Sequence, residues 1–106
     1  MQNIIEQLIA FRDARDWAQF HTSKDLSSAI VIEAGELLEL FLWKSNEEVD
    51  PARLAEELAD VFSYCLLLAN KHHLDVIKII EDKIKTNSLK YPIEKAKGSA
   101  KKYLDL

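Results

Sequence analysis

The sequence predicts an all-α protein: an antiparallel four-helix bundle with a short C-terminal helical tail, assembling as a homo-oligomer. Three observations predict it. Only two glycines and two prolines interrupt 106 residues, too few for the many turns of a strand-rich fold. Apolar residues recur at helical rather than alternating spacing, and the few break signals fall between such segments. Hydrophobic residues make up 48% of the chain, enough for one small core, so residues 1–106 are expected to form a single domain.

The first helix is expected over residues 2–15, with Ile5, Leu8, Ile9 and either Arg12 or Asp16 on its inner face. Residues 16–24 form a connection rich in aromatics, holding Trp17, Phe20 and His21. A second helix is expected from about Asp25 to Trp43 or Lys44, where SNEEVDP makes a turn closed by proline. Asp50-Pro51 reads as an N-cap and first helical position of a third helix running to Lys71 or His72. Asp75 caps a fourth helix ending near Leu89, with Tyr91-Pro92 as its stop. A short last helix over residues 93–102 is expected to fray at Gly98.

The central helices are apolar almost all round. Val31, Ile32, Leu38 and Leu42 add a second apolar side to one, and Leu66 and Leu67 do so for its partner. A monomer of this size cannot bury both sides, which predicts self-association. The single cysteine, Cys65, excludes an internal disulfide and is expected to be a buried, inert thiol.

Set into these apolar segments are two carboxylate doublets, Glu33-Ala-Gly-Glu36 and Glu57-Leu-Ala-Asp60. Residues three apart share a helix face, so each doublet presents two carboxylates to one point. At 100° per residue Glu33 falls in the middle of the stripe made by Leu26, Ile30, Leu37 and Leu40, an arc of about 80°, and Glu36 falls at its edge. On the third helix Glu57, Asp60 and Tyr64 flank the stripe of Leu54, Leu58, Val61, Cys65 and Leu68. Carboxylates on apolar surface are costly unless paired or neutralised. Four hard oxygen donors on two helices therefore suggest a Mg²⁺ site, whereas Glu39, Glu47, Glu48 and Glu56 lie off the arcs and are expected in solvent.

The net charge of −4 conceals an uneven distribution. Residues 1–82 carry seven basic and sixteen acidic side chains, and residues 83–106 carry seven basic and two acidic. An acidic body followed by a basic tail suits a polyanion held by metal and lysines together. No helix carries a sustained basic face, which argues against duplex nucleic acid. No run is apolar enough to span a membrane and no leader-like segment stands out, so a cytoplasmic location is expected.

The doublets and their flanks, RDWAQFH at 15–21, EAGELLELFLWK at 33–44, EELADVFSY at 56–64, KTNSLKYP at 85–92 and KGSAKKY at 97–103, resemble the MazG-like all-α nucleoside triphosphate pyrophosphohydrolases, in particular their dCTP pyrophosphatase branch. The resemblance implies hydrolysis of a deoxynucleoside triphosphate, with dCTP or a modified dCTP favoured, to the monophosphate and pyrophosphate. It implies Mg²⁺, with Mn²⁺ as a substitute, on Glu33, Glu36, Glu57 and Asp60, and a proton acceptor among the glutamates, with Glu36 preferred and Glu33 next. It further implies phosphate or sugar contacts from Lys83, Asn87 and Tyr91, a base held by Trp17, Trp43 and Tyr64, and a substrate contact from His21. A homotetramer is the implied assembly, with a dimer as the alternative. Leu8 departs from the pattern, standing where some relatives carry a polar residue. Three rival readings remain: the same chemistry on dUTP or other non-standard nucleotides, a non-enzymatic helical interaction module, and a di-iron bundle. The last is disfavoured because neither doublet is Glu-x-x-His.

Overall fold

The structure, a computed structural model, describes residues 1–106 and contains helices and turns but no strand. The chain divides into two compact units, Met1–His73 and Leu74–Leu106. The first holds α1 (Gln2–Ala14), a 3-10 turn at Ala18–Phe20, α2 (Ser23–Glu39) and α3 (Pro51–Lys71). The second holds α4 (Val76–Lys90), the single turn α5 (Ile93–Ala96) and a 3-10 turn at Tyr103–Asp105.

Within the first unit, α2 and α3 form the main packed pair and α1 lies against α3. The pair is antiparallel: a hydrogen bond of 2.7 Å joins Ser23 Oγ, in the first turn of α2, to His72 Nε2, just past the end of α3. The core is small and is made by Ile5, Leu26, Leu40, Leu67 and Ala69, with Leu26 fully buried. Two caps start the helices of the pair. The Thr22 side chain accepts from Asp25 N–H, and the Asp50 side chain accepts from Ala52 N–H with Pro51 at the first helical position. α1 ends differently. Asp16 adopts a left-handed conformation (φ 55), Asp16 N–H donates to Asp13 O, and Trp17 N–H donates back to Arg12 O at 3.1 Å. This is a Schellman termination, which reverses the chain and sets Trp17 beside the last turn of α1.

Several boundaries and faces differ from expectation. α2 begins at Ser23, two residues before the expected start near Asp25, because Thr22 caps it, and it ends at Glu39 rather than near Trp43 or Lys44. Beyond Glu39 the bonding tightens to i→i+3 through Leu40, Phe41 and Leu42, and Trp43 takes a left-handed conformation (φ 63) that stops propagation. α3 rotates its inner face away from the assumed stripe. Cys65 is exposed, a correction to its expected burial, and Leu67, assigned to the outer side, is a core residue. A helix apolar all round leaves its phase open in sequence, and packing on α1 and α2 selects the side. The outer side of the α2 and α3 pair carries Val31 (72% exposed), Ile32, Leu38 and Phe62.

In the second unit, Asp75 caps α4 by accepting from Lys78 N–H, as its sequence position predicts, and Lys78 pairs with Asp82 one turn on. The last helix stops at Ala96 instead of reaching 102, and Gly98 takes the positive φ of 78 that turns the chain. Tyr103 then stacks edge-on against Tyr91, centroids 6.0 Å apart, with the Lys90 ammonium 4.9 Å above its ring. No helix is long and apolar enough to cross a membrane.

Candidate active site

Glu33 and Glu36 sit one turn apart on α2, and Glu57 approaches from α3. Each of the three offers a carboxylate oxygen within 4.8 Å of the others. Glu33 Oε2 and Glu57 Oε2 are both buried and meet no hydrogen-bond donor. A buried acceptor without a partner is uncommon and costly, and two of them within one carboxylate cluster lack a cation or a proton.

The electrostatics agree. Burial, then a hydrogen bond and repulsion from Glu36, with further repulsion from Asp60 and Glu57, raise the Glu33 pKa to about 7. Burial, Glu36 and Asp60 raise that of Glu57 as well, against the lowering effect of Arg53. Oxygen-only donors, negative charge and unpartnered lone pairs are what a hard divalent cation requires, so the three residues fit a metal ion. Asp60, expected as the fourth ligand, lies outside this set; it is near enough to act on Glu33 and Glu57 but faces an adjoining cavity.

That cavity, about 260 Å³, is lined by Leu8, Phe11, Arg12 and Trp17 from α1 and its termination, His21 from the following turn, and Asp60, Ser63, Tyr64 and Leu67 from α3. Its aromatic walls are held by one another and by charge. Phe11 and Trp17 meet edge to face at 5.8 Å, His21 and Tyr64 do so at 6.4 Å, and the Arg15 guanidinium lies 3.6 Å from the Phe11 ring centre. His21 Nδ1 is buried and unpartnered, and burial together with the positive charges of Arg12 and Lys71 lowers the pKa of the ring. His21 is therefore neutral at neutral pH, one ring nitrogen donating and the other accepting.

Three of the expected substrate residues, Trp17, His21 and Tyr64, thus share one cavity beside the carboxylates. Trp43 is elsewhere, fully exposed in the turn that follows α2 and packed on nothing in the chain. In the second unit Lys83 and Asn87 border a shallow apolar groove with Ile79, Ile80 and Ile84, while Tyr91 lines a separate depression with Ser88 and Pro92. Sequence reasoning overlooked Phe11, Arg12 and Ser63 as cavity residues. The signal was present: Arg12 is one turn beyond Leu8, and Ser63 is one turn beyond Asp60.

An all-helical chain that gathers carboxylates from two antiparallel helices beside an aromatic cavity belongs to a recognisable class, and residues 28–106 match the model of the MazG-like family: the chain belongs to that family. It is 44% identical over 104 residues to dCTP pyrophosphatase 1 of Rattus norvegicus and 39% identical to that of Homo sapiens, in each case over 91% of the chain. The chain spans about 61% of the length of these relatives. Among solved structures it is similar to a pyrophosphatase from Archaeoglobus fulgidus, with 35% identity and a TM-score of 0.82 over 87% of this chain and 92% of that one.

Proposed function

We propose that the protein hydrolyses deoxynucleoside triphosphates, dCTP or a modified dCTP foremost, to the monophosphate and pyrophosphate, and so removes particular nucleotides from the pool. The observation that carries this reading is the pair of buried, unpartnered oxygens of Glu33 and Glu57 beside an aromatic cavity. A triphosphate brings about four negative charges to a carboxylate site, an encounter that only cations make attractive. The names of the relatives from Rattus norvegicus and Homo sapiens support the choice of dCTP.

Glu33, Glu36 and Glu57 would hold Mg²⁺, or Mn²⁺ in its place, with Asp60 completing the set. When bound, the metal supplies charge neutralisation of the phosphates and of the pyrophosphate leaving group. Glu36, the exposed member of the trio, accepts a proton from the attacking water, and Glu33 is the next candidate. Trp17 and Tyr64 flank the base with His21 at its edge, and Trp43 adds a further aromatic face. Lys83, Asn87 and Tyr91 serve the phosphates and sugar. The whole chain would act as one MazG-like domain in the cytoplasm, its helices forming a four-helix bundle that self-associates as a homotetramer or, failing that, a dimer. The exposed apolar side of α2 and α3 supports that assembly.

The test is Mg²⁺-dependent release of pyrophosphate from a panel of deoxynucleoside triphosphates in ¹⁸O-labelled water. Label in the monophosphate is expected. Release of inorganic phosphate, or no release at all, rejects the reading in favour of another nucleotide chemistry or of an interaction module.

A further inference from the structure

The cavity beside the carboxylates has an apolar floor of Leu8 and Leu67 and aromatic walls, and one cationic side chain reaches into it, Arg12. Arg12 stands one helical turn beyond Leu8 on the same face of α1, and its side chain is only 22% exposed. A guanidinium that sheltered needs acceptors. Within the chain it meets one: Arg12 Nε donates to Asp13 Oδ1 at 2.9 Å, and Nη2 lies 2.9 Å from the same oxygen. Asp13 therefore occupies one edge of the fork and fixes its plane, leaving Nη1 without a partner in the chain on a side chain that lines the cavity. A pair between adjacent residues, with Asp13 half-exposed, contributes little to stability, which points to orientation as its use. His21, which lines the same cavity, keeps a buried Nδ1 without a partner, a second polar group free for an occupant.

The donor inventory decides what occupant suits this edge. Arginine has five N–H donors and no acceptor, and its planar fork matches two acceptors side by side. Cytosine presents such a pair, a ring nitrogen next to a carbonyl oxygen. Uracil and thymine carry an N–H at the equivalent ring position, which would face the guanidinium donor to donor. Resting on the proposed hydrolysis of deoxynucleoside triphosphates, we infer that Arg12 is the specificity-determining residue of the cavity: its free edge donates to adjacent acceptors on the base and selects cytosine over uracil and thymine.

The experiment compares wild type, Arg12→Met and Arg12→Lys by kcat/KM for dCTP, dUTP and dTTP, and by calorimetric binding of dCMP and dUMP. Wild type is expected to favour cytosine in both readouts. Both variants should lower the cytosine-to-uracil ratio by about tenfold or more, since one bidentate contact discriminates to that extent. Lysine keeps the charge and loses the fork, so a preference retained in Arg12→Lys overturns the inference. Equal loss on every nucleotide overturns it too, because Arg12 would then act as a general cation. Helical circular dichroism confirms that the variants fold. If wild type cleaves nothing, the hydrolytic reading fails on its own, and the monophosphate binding ratio decides for Arg12: its collapse in the variants sustains the inference, and absent or unselective binding rejects it.

Discussion

Glu33 of α2 and Glu57 of α3 each bury one carboxylate oxygen without a hydrogen-bond donor, and each offers a carboxylate oxygen within 4.8 Å of the other's and of one on Glu36. In the metal-free protein this arrangement is a liability. Removing one charge should relieve it, so Glu33→Gln is expected to raise the melting temperature in chelator by a few degrees. The same change should abolish turnover and the stabilisation of wild type by Mg²⁺. Differential scanning fluorimetry with and without Mg²⁺ checks both. A variant that is still stabilised by Mg²⁺ and still active would remove Glu33 from the metal set.

The raised pKa of Glu33 gives a pH dependence with a definite sign. In the unfolded chain the group titrates near 4.5 and in the fold near 7. Between those values the folded state binds more protons than the unfolded one, so stability falls as the pH rises through the window. In chelator, the melting temperature should drop from pH 5 to pH 7.5. Glu57 shifts in the same direction and adds to the effect. In Glu33→Gln the slope should flatten. A wild-type profile that climbs across this window would mean that the cluster is already neutralised by other groups.

Local signals made most of the fold legible, and tertiary choices hid the rest. The starts of α3 and α4 are written by Asp50-Pro51 and Asp75, whose side chains cap the helices they precede. The carboxylate doublets were legible because glutamate in the middle of a leucine stripe is chemically out of place. The end of α2 was not, because LLELFLW carries neither glycine nor asparagine to announce a stop. The face of α3 was not, because apolar residues on every side give periodicity no phase, so Cys65 and Leu67 exchanged roles. The sequence left Arg12 and Asp16 as alternatives for the inner face of α1, and the cavity that Arg12 lines exists only once Trp17 has been turned back by the left-handed Asp16.

The bond between Ser23 and His72 ties the start of α2 to the end of α3 across 49 residues of sequence. Ser23→Ala should cost about 0.5 to 1.5 kcal/mol, the usual net worth of one hydrogen bond, read from chemical denaturation. His72→Ala should cost a similar amount, and the double variant no more than the larger single one. Additive losses would show that the two side chains stabilise the fold separately.

Val31, Ile32, Leu38 and Phe62 present an uncovered apolar side on the α2 and α3 pair. If a second copy covers it, Leu38→Glu or Val31→Glu should dissociate the assembly, because burying an unpaired carboxylate in such a contact is strongly unfavourable. Light scattering should then report a smaller particle than wild type, with lowered stability. A wild type that is itself monomeric at micromolar concentration would leave this face without a self-partner.

Trp43 separates packing from binding more cleanly than any other residue of the set. It is fully exposed and holds a left-handed backbone conformation that costs a non-glycine residue about 1 kcal/mol or more. No contact within the chain repays that strain. Trp43→Gly should therefore leave the stability of the isolated chain unchanged or raise it slightly. If the indole stacks on the substrate base, the same variant should raise KM for every deoxynucleoside triphosphate by about 5- to 150-fold, the equivalent of 1 to 3 kcal/mol. The ranking of bases should hardly move, because every base offers a π face and Arg12 is left intact. If KM stays at the wild-type value and the assembly weakens instead, Trp43 belongs to a subunit contact and its exposed ring is an anchor for a second copy.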